Sequence, residues 1–325
     1  MKIILTGSLG NISKPLTINL ISKGHTVTVI SSKAERQKEI EDLGAIAAIG
    51  SIRDVDFLTK TFTGADIVYL MEPTETAGFF DKNFDIYQSI TDLVTGYKKA
   101  IEASGIKKIV HLSSIGAHTD QGVGLLKFHF MAEGILKSLP ADVIIKFMRP
   151  VGFYGNLLQT IEVIKTTNKG FLGAIMALQH YGISGLLSGK RGVILANYGG
   201  EVMNLLVSPY DIATVIAEEM EKSFDERMFR YIASEELTCN EVAKIIGPSI
   251  GKPYLKWGSI SDKMLRNTMV KRGANEMLAD GVVKMGASGR SGKLYEDYYK
   301  HRPKLSPTKL NTYAPVFAAA YGKSE

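Results

Sequence analysis

Cysteine is almost missing from this sequence: among 325 residues only Cys239 carries a thiol. That excludes an intrachain disulfide framework, zinc sites built on several cysteines and all-cysteine iron–sulfur clusters, and it suits a reducing, cytoplasmic compartment. The histidines His25, His111, His118 and His301 show no metal-ligand spacing, and the pattern His-Glu-x-x-His does not occur, so no metal is expected. Low hydrophobicity and excess charge are absent too. With 45% apolar and 22% charged residues the chain can bury a core and is not expected to be disordered.

Long apolar runs are scarce. The N-terminal one ends at Thr6-Gly7, too short for the centre of a secretory signal, so the start is expected to belong to the folded protein. One stretch, 170–189, has twenty residues without Asp, Glu, Lys or Arg, between Lys169 and Lys190. Five glycines and the polar Gln179, His180, Tyr181, Ser184 and Ser188 interrupt it. It is expected to be an apolar wall of a ligand pocket, with no membrane partner.

The formal net charge is +6. Residues 1–150 carry 17 Lys+Arg against 16 Asp+Glu, 151–250 carry 8 against 11, and 251–325 carry 14 against 6. The excess is C-terminal, where a solvated basic face accounts for it, so nucleic acid is not an expected partner.

What is present is alternation. Short β-branched runs at 2–6, 26–30, 45–49, 67–71, 108–113 and 142–148 are separated by amphipathic segments at 13–22, 34–42, 55–62, 83–103 and 128–138. The runs lack polar alternation, as strands covered on both faces do. This predicts an α/β fold, a doubly wound parallel sheet of the Rossmann kind, in residues 1–152. Residues 153–325 are expected to form a smaller, mostly helical substrate-binding region, with 193–223 packing back on the first domain.

Directly after the first strand comes Gly7-Ser8-Leu9-Gly10-Asn11-Ile12-Ser13, running into a helix. Gly7 permits a sharp strand-to-helix turn, and Gly10 lets backbone N–H groups approach a pyrophosphate at the positive helix end. Ser13 replaces a third glycine and could cap the helix or reach a phosphate. The second strand ends in Ser31-Ser32-Lys33, followed by Glu35 and Arg36. NAD sites place a carboxylate at this strand end to accept ribose hydroxyl bonds, whereas a 2′-phosphate calls for hydroxyls and cations, so NADP is favoured over NAD.

Ordered matches extend along nearly the whole chain. They are Thr6-Gly7-Ser8-Leu9-Gly10, Thr63-Gly64-Ala65-Asp66-Ile67-Val68-Tyr69-Leu70 leading to Met71-Glu72-Pro73, Ile109-Val110-His111-Leu112-Ser113-Ser114-Ile115-Gly116-Ala117, Met148-Arg149-Pro150-Val151-Gly152-Phe153-Tyr154-Gly155-Asn156-Leu157, and Ser208-Pro209-Tyr210-Asp211-Ile212-Ala213. With His129 and Glu133 on one helix, they resemble the NmrA-like family of atypical short-chain dehydrogenase/reductases. The resemblance implies that Gly7, Leu9, Gly10, Asn11 and Ile12 wrap the pyrophosphate, while Ser31, Ser32 and Lys33 hold the adenosine phosphate. Ser51 and Ile52 would border the adenine, with Ser51 departing from the family's usual aspartate. Leu70, Met71, Glu72, Pro73 and Thr74 with Ser113 would lie along the nicotinamide half.

The Tyr-x-x-x-Lys pair of short-chain dehydrogenases, a phenol with a neighbouring ammonium, has no counterpart in the corresponding region. His129 and Glu133, four apart, share a helix face there, and His129 is the candidate acid/base; the spacing also fits an ordinary helix contact. Phe153, Tyr154, Asn156 and His180 are candidate substrate contacts. The resemblance implies an NADPH-dependent oxidoreductase passing hydride to a small planar electron-poor substrate, a quinone or enone. The alternative is a non-catalytic NADP redox sensor acting on a protein partner; a sugar-nucleotide epimerase fits less well, because it needs that tyrosine.

Overall fold

β-Branched runs become strands and amphipathic runs become helices in the structure, a computed structural model that describes residues 1–73 and 76–323. The strands are β1 (Lys2–Leu5), β2 (Thr26–Ser31), β3 (Ile46–Ile49), β4 (Ile67–Leu70), β5 (Lys108–Leu112), β6 (Ile144–Pro150), β7 (Gly152–Phe153), β8 (Val193–Ala196), β9 (Met203–Val207), β10 (Met228–Ile232), β11 (Glu235–Thr238) and β12 (Lys256–Ser259). The helices are α1 (Ser13–Ser22), α2 (Gln37–Asp42), α3 (Val55–Phe62), α4 (Ile86–Ser104), α5 (Lys127–Lys137), α6 (Ile161–Thr166), α7 (Gly170–Leu187), α8 (Pro209–Glu221), α9 (Cys239–Ile246), α10 (Asp262–Lys271), α11 (Glu276–Ser291), α12 (Glu296–Lys300) and α13 (Leu310–Lys323).

Seven strands form one parallel sheet in the order β10-β6-β5-β4-β1-β2-β3. Both faces are covered. Ile3, Leu5, Val27, Val29 and Val110 pack under α1 and α8, whereas Ile4, Ile30, Val68, Ile109 and Ile145 pack under α3, α4 and α5. Successive residues therefore enter opposite cores, each apolar side chain contributing about 1.5–3 kcal/mol of burial. This is the doubly wound Rossmann fold. The winding reverses between β1 and β4, so a crevice opens at their carboxyl ends, where open α/β sheets bind ligands.

Local chemistry sets the element ends. Asp85 accepts hydrogen bonds from the N–H groups of Tyr87 and Gln88 to start α4, and Gly105, at φ 75°, ends it in the left-handed region. Ser208, followed by Pro209, starts α8, which packs against α1. Six strands were expected in the sheet; the seventh, β10, comes from beyond residue 150, and β6 runs on to Pro150 to pair with it.

The C-terminal region is more than helical. A three-stranded sheet, β11-β9-β7, and a parallel pair, β12-β8, frame a third core containing Leu157, Ile164, Val242, Ile246, Trp257 and Phe317.

Candidate cofactor and substrate site

The turn after β1 is built around space. A Cβ on Gly7 would stand 1.9 Å from Ser13 Oγ, so no larger residue fits there without displacing the start of α1. The left-handed residue of the turn is not Gly7 but Ser8, at φ 50°, the one non-glycine with positive φ among the described residues. Such conformations cost energy and gather at ligand sites. Ser13 does not cap the helix as expected: it is buried, and the N-cap is Ile12, which offers no side-chain acceptor. The first N–H groups of α1 therefore lack a side-chain partner, with Leu9, Gly10 and Asn11 beside them. A close-packed glycine turn leading into a helix terminus without a side-chain cap fits a pyrophosphate.

The strained Ser8 points its hydroxyl at the end of β2. Ser8 Oγ donates to Ser31 Oγ at 3.0 Å and accepts from Arg36 Nη1 at 3.2 Å; the Lys33 N–H donates to Ser31 Oγ at 3.2 Å. Ser32 and Lys33 are exposed beside this cluster. Two hydroxyls and a guanidinium held together without a carboxylate suit a phosphate. Glu39, the nearest acid of α2 to α1, is turned to Lys14 at 2.8 Å. Farther along the sheet edge, Ser51 is exposed with its Oγ accepting from the Arg53 N–H at 3.1 Å, and Ile52 is half-buried.

On the other side of the switch point, Leu70 closes β4 and Met71 is pinned by two bonds. Its N–H donates to Thr6 Oγ1 at 3.1 Å, and Tyr97 OH donates to its carbonyl at 2.9 Å. Next to it Glu72 is buried, and His111 Nε2–H on β5 donates to both carboxylate oxygens, at 2.9 and 3.1 Å. Neither was expected as a pair, because thirty-nine positions separate them and only β4–β5 pairing joins them. Pro73 is exposed, and Thr74 lies outside the described residues.

His129 departs from its expected role. No bond joins it to Glu133; its ring lies on Phe128, centroids 4.0 Å apart, and its Nδ1 is buried without a partner among the described residues. Burial drives its pKa down to about 4 against the smaller pull of Glu72, so the imidazole is neutral at pH 7 and is a poor acid. Glu133 is fully engaged elsewhere. It accepts from Ser113 Oγ at 2.7 Å, Arg149 Nε and Nη2 at 2.8 and 2.7 Å, and Lys137 Nζ at 2.9 Å. Ser113, expected along the nicotinamide, spends its hydroxyl inside this buried network.

The candidate substrate contacts lie on β7, the turn that follows it, and α7. Tyr154 is buried, its OH donating to Glu235 and to the Thr308 carbonyl, both at 2.9 Å, so its polar end serves the C-terminal core. Phe153 is half-buried in β7 and Asn156 is exposed. His180 sits on α7 against Gly258 of β12, where a Cβ would meet its ring at 2.5 Å. Cys239 is buried, which pushes its thiol up to about 12 and removes it as a nucleophile. The string Gly247-Pro248-Ser249-Ile250-Gly251 has the spacing of a hydrolase nucleophile elbow, but it follows a helix, and Ser249 Oγ donates to the Ile246 carbonyl at 2.7 Å.

Residues 7–146 match the NAD(P)H-binding family. An uncharacterized protein of Schizosaccharomyces pombe is 23% identical over 269 residues, 80% of this chain and 84% of that protein. Among solved structures, the NADPH-dependent quinone oxidoreductase QOR2 of Escherichia coli superposes with a TM-score of 0.70 at 18% identity, over 96% of this chain and 98% of that one. A nucleoside-diphosphate-sugar epimerase of Staphylococcus aureus gives 0.69 at 12%, over 97% and 100%. At these identities the structural matches establish a shared fold.

Proposed function

We propose that this protein is an NADPH-dependent reductase that takes a planar, electron-poor carbonyl compound, a quinone or enone, as hydride acceptor. The observation that carries the reading is the Ser8–Ser31–Arg36 cluster at the end of β2, which offers hydroxyls and a guanidinium where an NAD site needs a carboxylate. The match to the NAD(P)H-binding family, the resemblance to NmrA-like reductases and the fold shared with a quinone oxidoreductase support it.

NADPH, when bound, supplies the hydride. Gly7, Gly10 and the start of α1 would hold the pyrophosphate, and Ser8, Ser31, Lys33 and Arg36 the 2′-phosphate. Met71, pinned by Thr6 and Tyr97, would border the nicotinamide half. The buried Glu72–His111 pair would lie beside this end. The substrate class rests on the Tyr-x-x-x-Lys pair that the sequence does not contain. Hydride addition to an unactivated ketone produces an alkoxide that needs a proton donor such as the tyrosine of a Tyr-x-x-x-Lys pair. Addition to a quinone produces a delocalised phenolate that takes its proton from water. Neutral His129 can donate a hydrogen bond to such an oxygen without giving up a proton, as neutral imidazoles do in other enzymes.

Incubating the purified protein with NADPH and a panel of quinones, enones and simple ketones, and following NADPH absorbance, tests this. Turnover of quinones but not of unactivated ketones is expected. The missing proton donor also favours a second reading, a redox sensor; NADPH binding without turnover of any acceptor, and partner capture that depends on NADP redox state, would select it.

A further inference from the structure

Helix α7 inverts the usual arrangement of a surface helix. Its buried positions are the small Gly173, Ala177 and Gly185, while its bulky apolar residues point outward. Phe171 is 83% exposed, Ile183 70% and Leu187 82%, and Leu172, Ile175 and Leu178 are exposed beside them. Phe171, Ile175 and Leu178 follow the i, i+4, i+7 spacing of one helix face, and Leu172 flanks it, opposite Gly173 and Ala177. After the kink at Gly182, Ile183 and Leu187 are again one turn apart. Soluble monomers seldom leave such a continuous apolar face in water.

Cations frame this face. Lys169 precedes the helix, and Lys190 and Arg191 follow it; Lys256 reaches it from β12, its Nζ donating to the His180 carbonyl at 3.0 Å. No Asp or Glu occurs between residues 163 and 200. We propose that α7 is an interfacial helix that lies in the headgroup–acyl boundary of an anionic lipid bilayer, its outward apolar residues inserted and its terminal cations on the headgroups. An apolar face bordered by Lys and Arg complements such a surface in polarity and in charge. The helix lies on the bilayer and does not span it, because its inner side is held by the protein: Tyr181 OH donates to the Gly192 carbonyl at 2.7 Å, and α7 packs on β8. The expectation of a pocket wall without membrane contact is the competing reading that vesicle flotation separates from it. The proposal is independent of turnover.

Flotation of the full-length protein with vesicles tests it, using phosphatidylcholine alone and equal parts phosphatidylcholine and phosphatidylserine. The protein is expected to float with the mixed vesicles, less with phosphatidylcholine alone, and less at high salt. The triple variant F171S/I183S/L187S should lose binding about tenfold or more while keeping the wild-type melting temperature, because all three side chains are already in water. K169E/K190E should lose binding to the mixed vesicles alone. Wild-type protein that stays out of the vesicle fraction, or binding that the triple variant retains, overturns the proposal. So does a concentration-dependent dimer in analytical ultracentrifugation that the triple variant abolishes while neither protein floats, since the face would then belong to a second copy.

Discussion

A single guanidinium, Arg36, decides much of the cofactor argument. It bonds the hydroxyl of a residue held in a strained conformation, Ser8, and would add a charged bond to a 2′-phosphate. Hydrogen bonds to charged groups are worth about 1.5–3 kcal/mol, so Arg36→Ala should weaken NADPH about tenfold or more and leave NADH nearly unchanged. Fluorescence titration with both cofactors measures this; equal losses would remove Arg36 from the phosphate site. His129 provides a second check through pH. Its folded pKa is about 4 and its ordinary value 6.5, so below pH 6.5 the unfolded chain takes a proton that the folded one refuses. Stability should fall from pH 6.5 to about 4, and His129→Gln should flatten that limb in urea titrations. These two residues also mark how far the sequence could be read. Arg36 was legible because it follows a recognisable strand and turn, all within one local stretch. The environment of His129 was not, because burial and the Glu72–His111 pair arise only when β4, β5 and α5 pack together.

Elements are joined by the network that places Glu133 of α5 on Arg149 of β6. Burial raises the Glu133 carboxyl, but the Arg149 and Lys137 bonds outweigh it and hold the pKa down to about 2 from 4.5. The carboxylate therefore contributes stability that is complete above pH 4.5 and disappears as pH falls toward 2, an effect of about 3 kcal/mol by the size of the shift. Removing one member of such a buried pair leaves the other uncompensated. Arg149→Ala should cost about 3–5 kcal/mol at pH 7 and less near pH 2, where Glu133 is already about half protonated in the native protein. Urea unfolding at the two pH values checks this; an equal loss at both would show that only packing of the Arg149 chain matters. Helix boundaries were legible to within a few residues, and α1 and α3 match the expected ranges because their apolar periodicity starts and stops cleanly. The start of α4 moved from 83 to Ile86 because Asp85, its N-cap, set the boundary rather than hydrophobic spacing. The Arg149–Glu133 pairing carried no local signal, since its partners lie sixteen positions apart on two elements, α5 and β6.

At the scale of the molecule, the chain divides by sequence pattern near residue 152, yet the packing does not. β10 supplies the edge of the main sheet, and α8 covers α1. The core beneath them mixes Leu5, Leu16 and Val29 with Val207, Ile212, Ile216 and Tyr231. Lys146 of β6 extends its buried ammonium to the Glu219 carbonyl at 2.8 Å, and Arg227 donates to the carbonyls of Val143, Lys137 and Leu139 at 3.0, 2.7 and 2.8 Å. A fragment ending at residue 152 would thus expose one face of α1, unpair β6 and remove the carbonyls that hold the Lys146 ammonium. Each loss alone costs kilocalories, and a folded domain has only about 5–15 kcal/mol in reserve. The fragment 1–152 is therefore expected to lack a cooperative melt and to bind NADPH poorly, although it carries every residue assigned to the cofactor. Adding back residues up to 234, which restore α8 and β10, should recover cooperative unfolding. A sharply melting, NADPH-binding 1–152 fragment would show instead that the two β-α halves built from β1 to β6 are self-sufficient, with β10 and α8 a later cover.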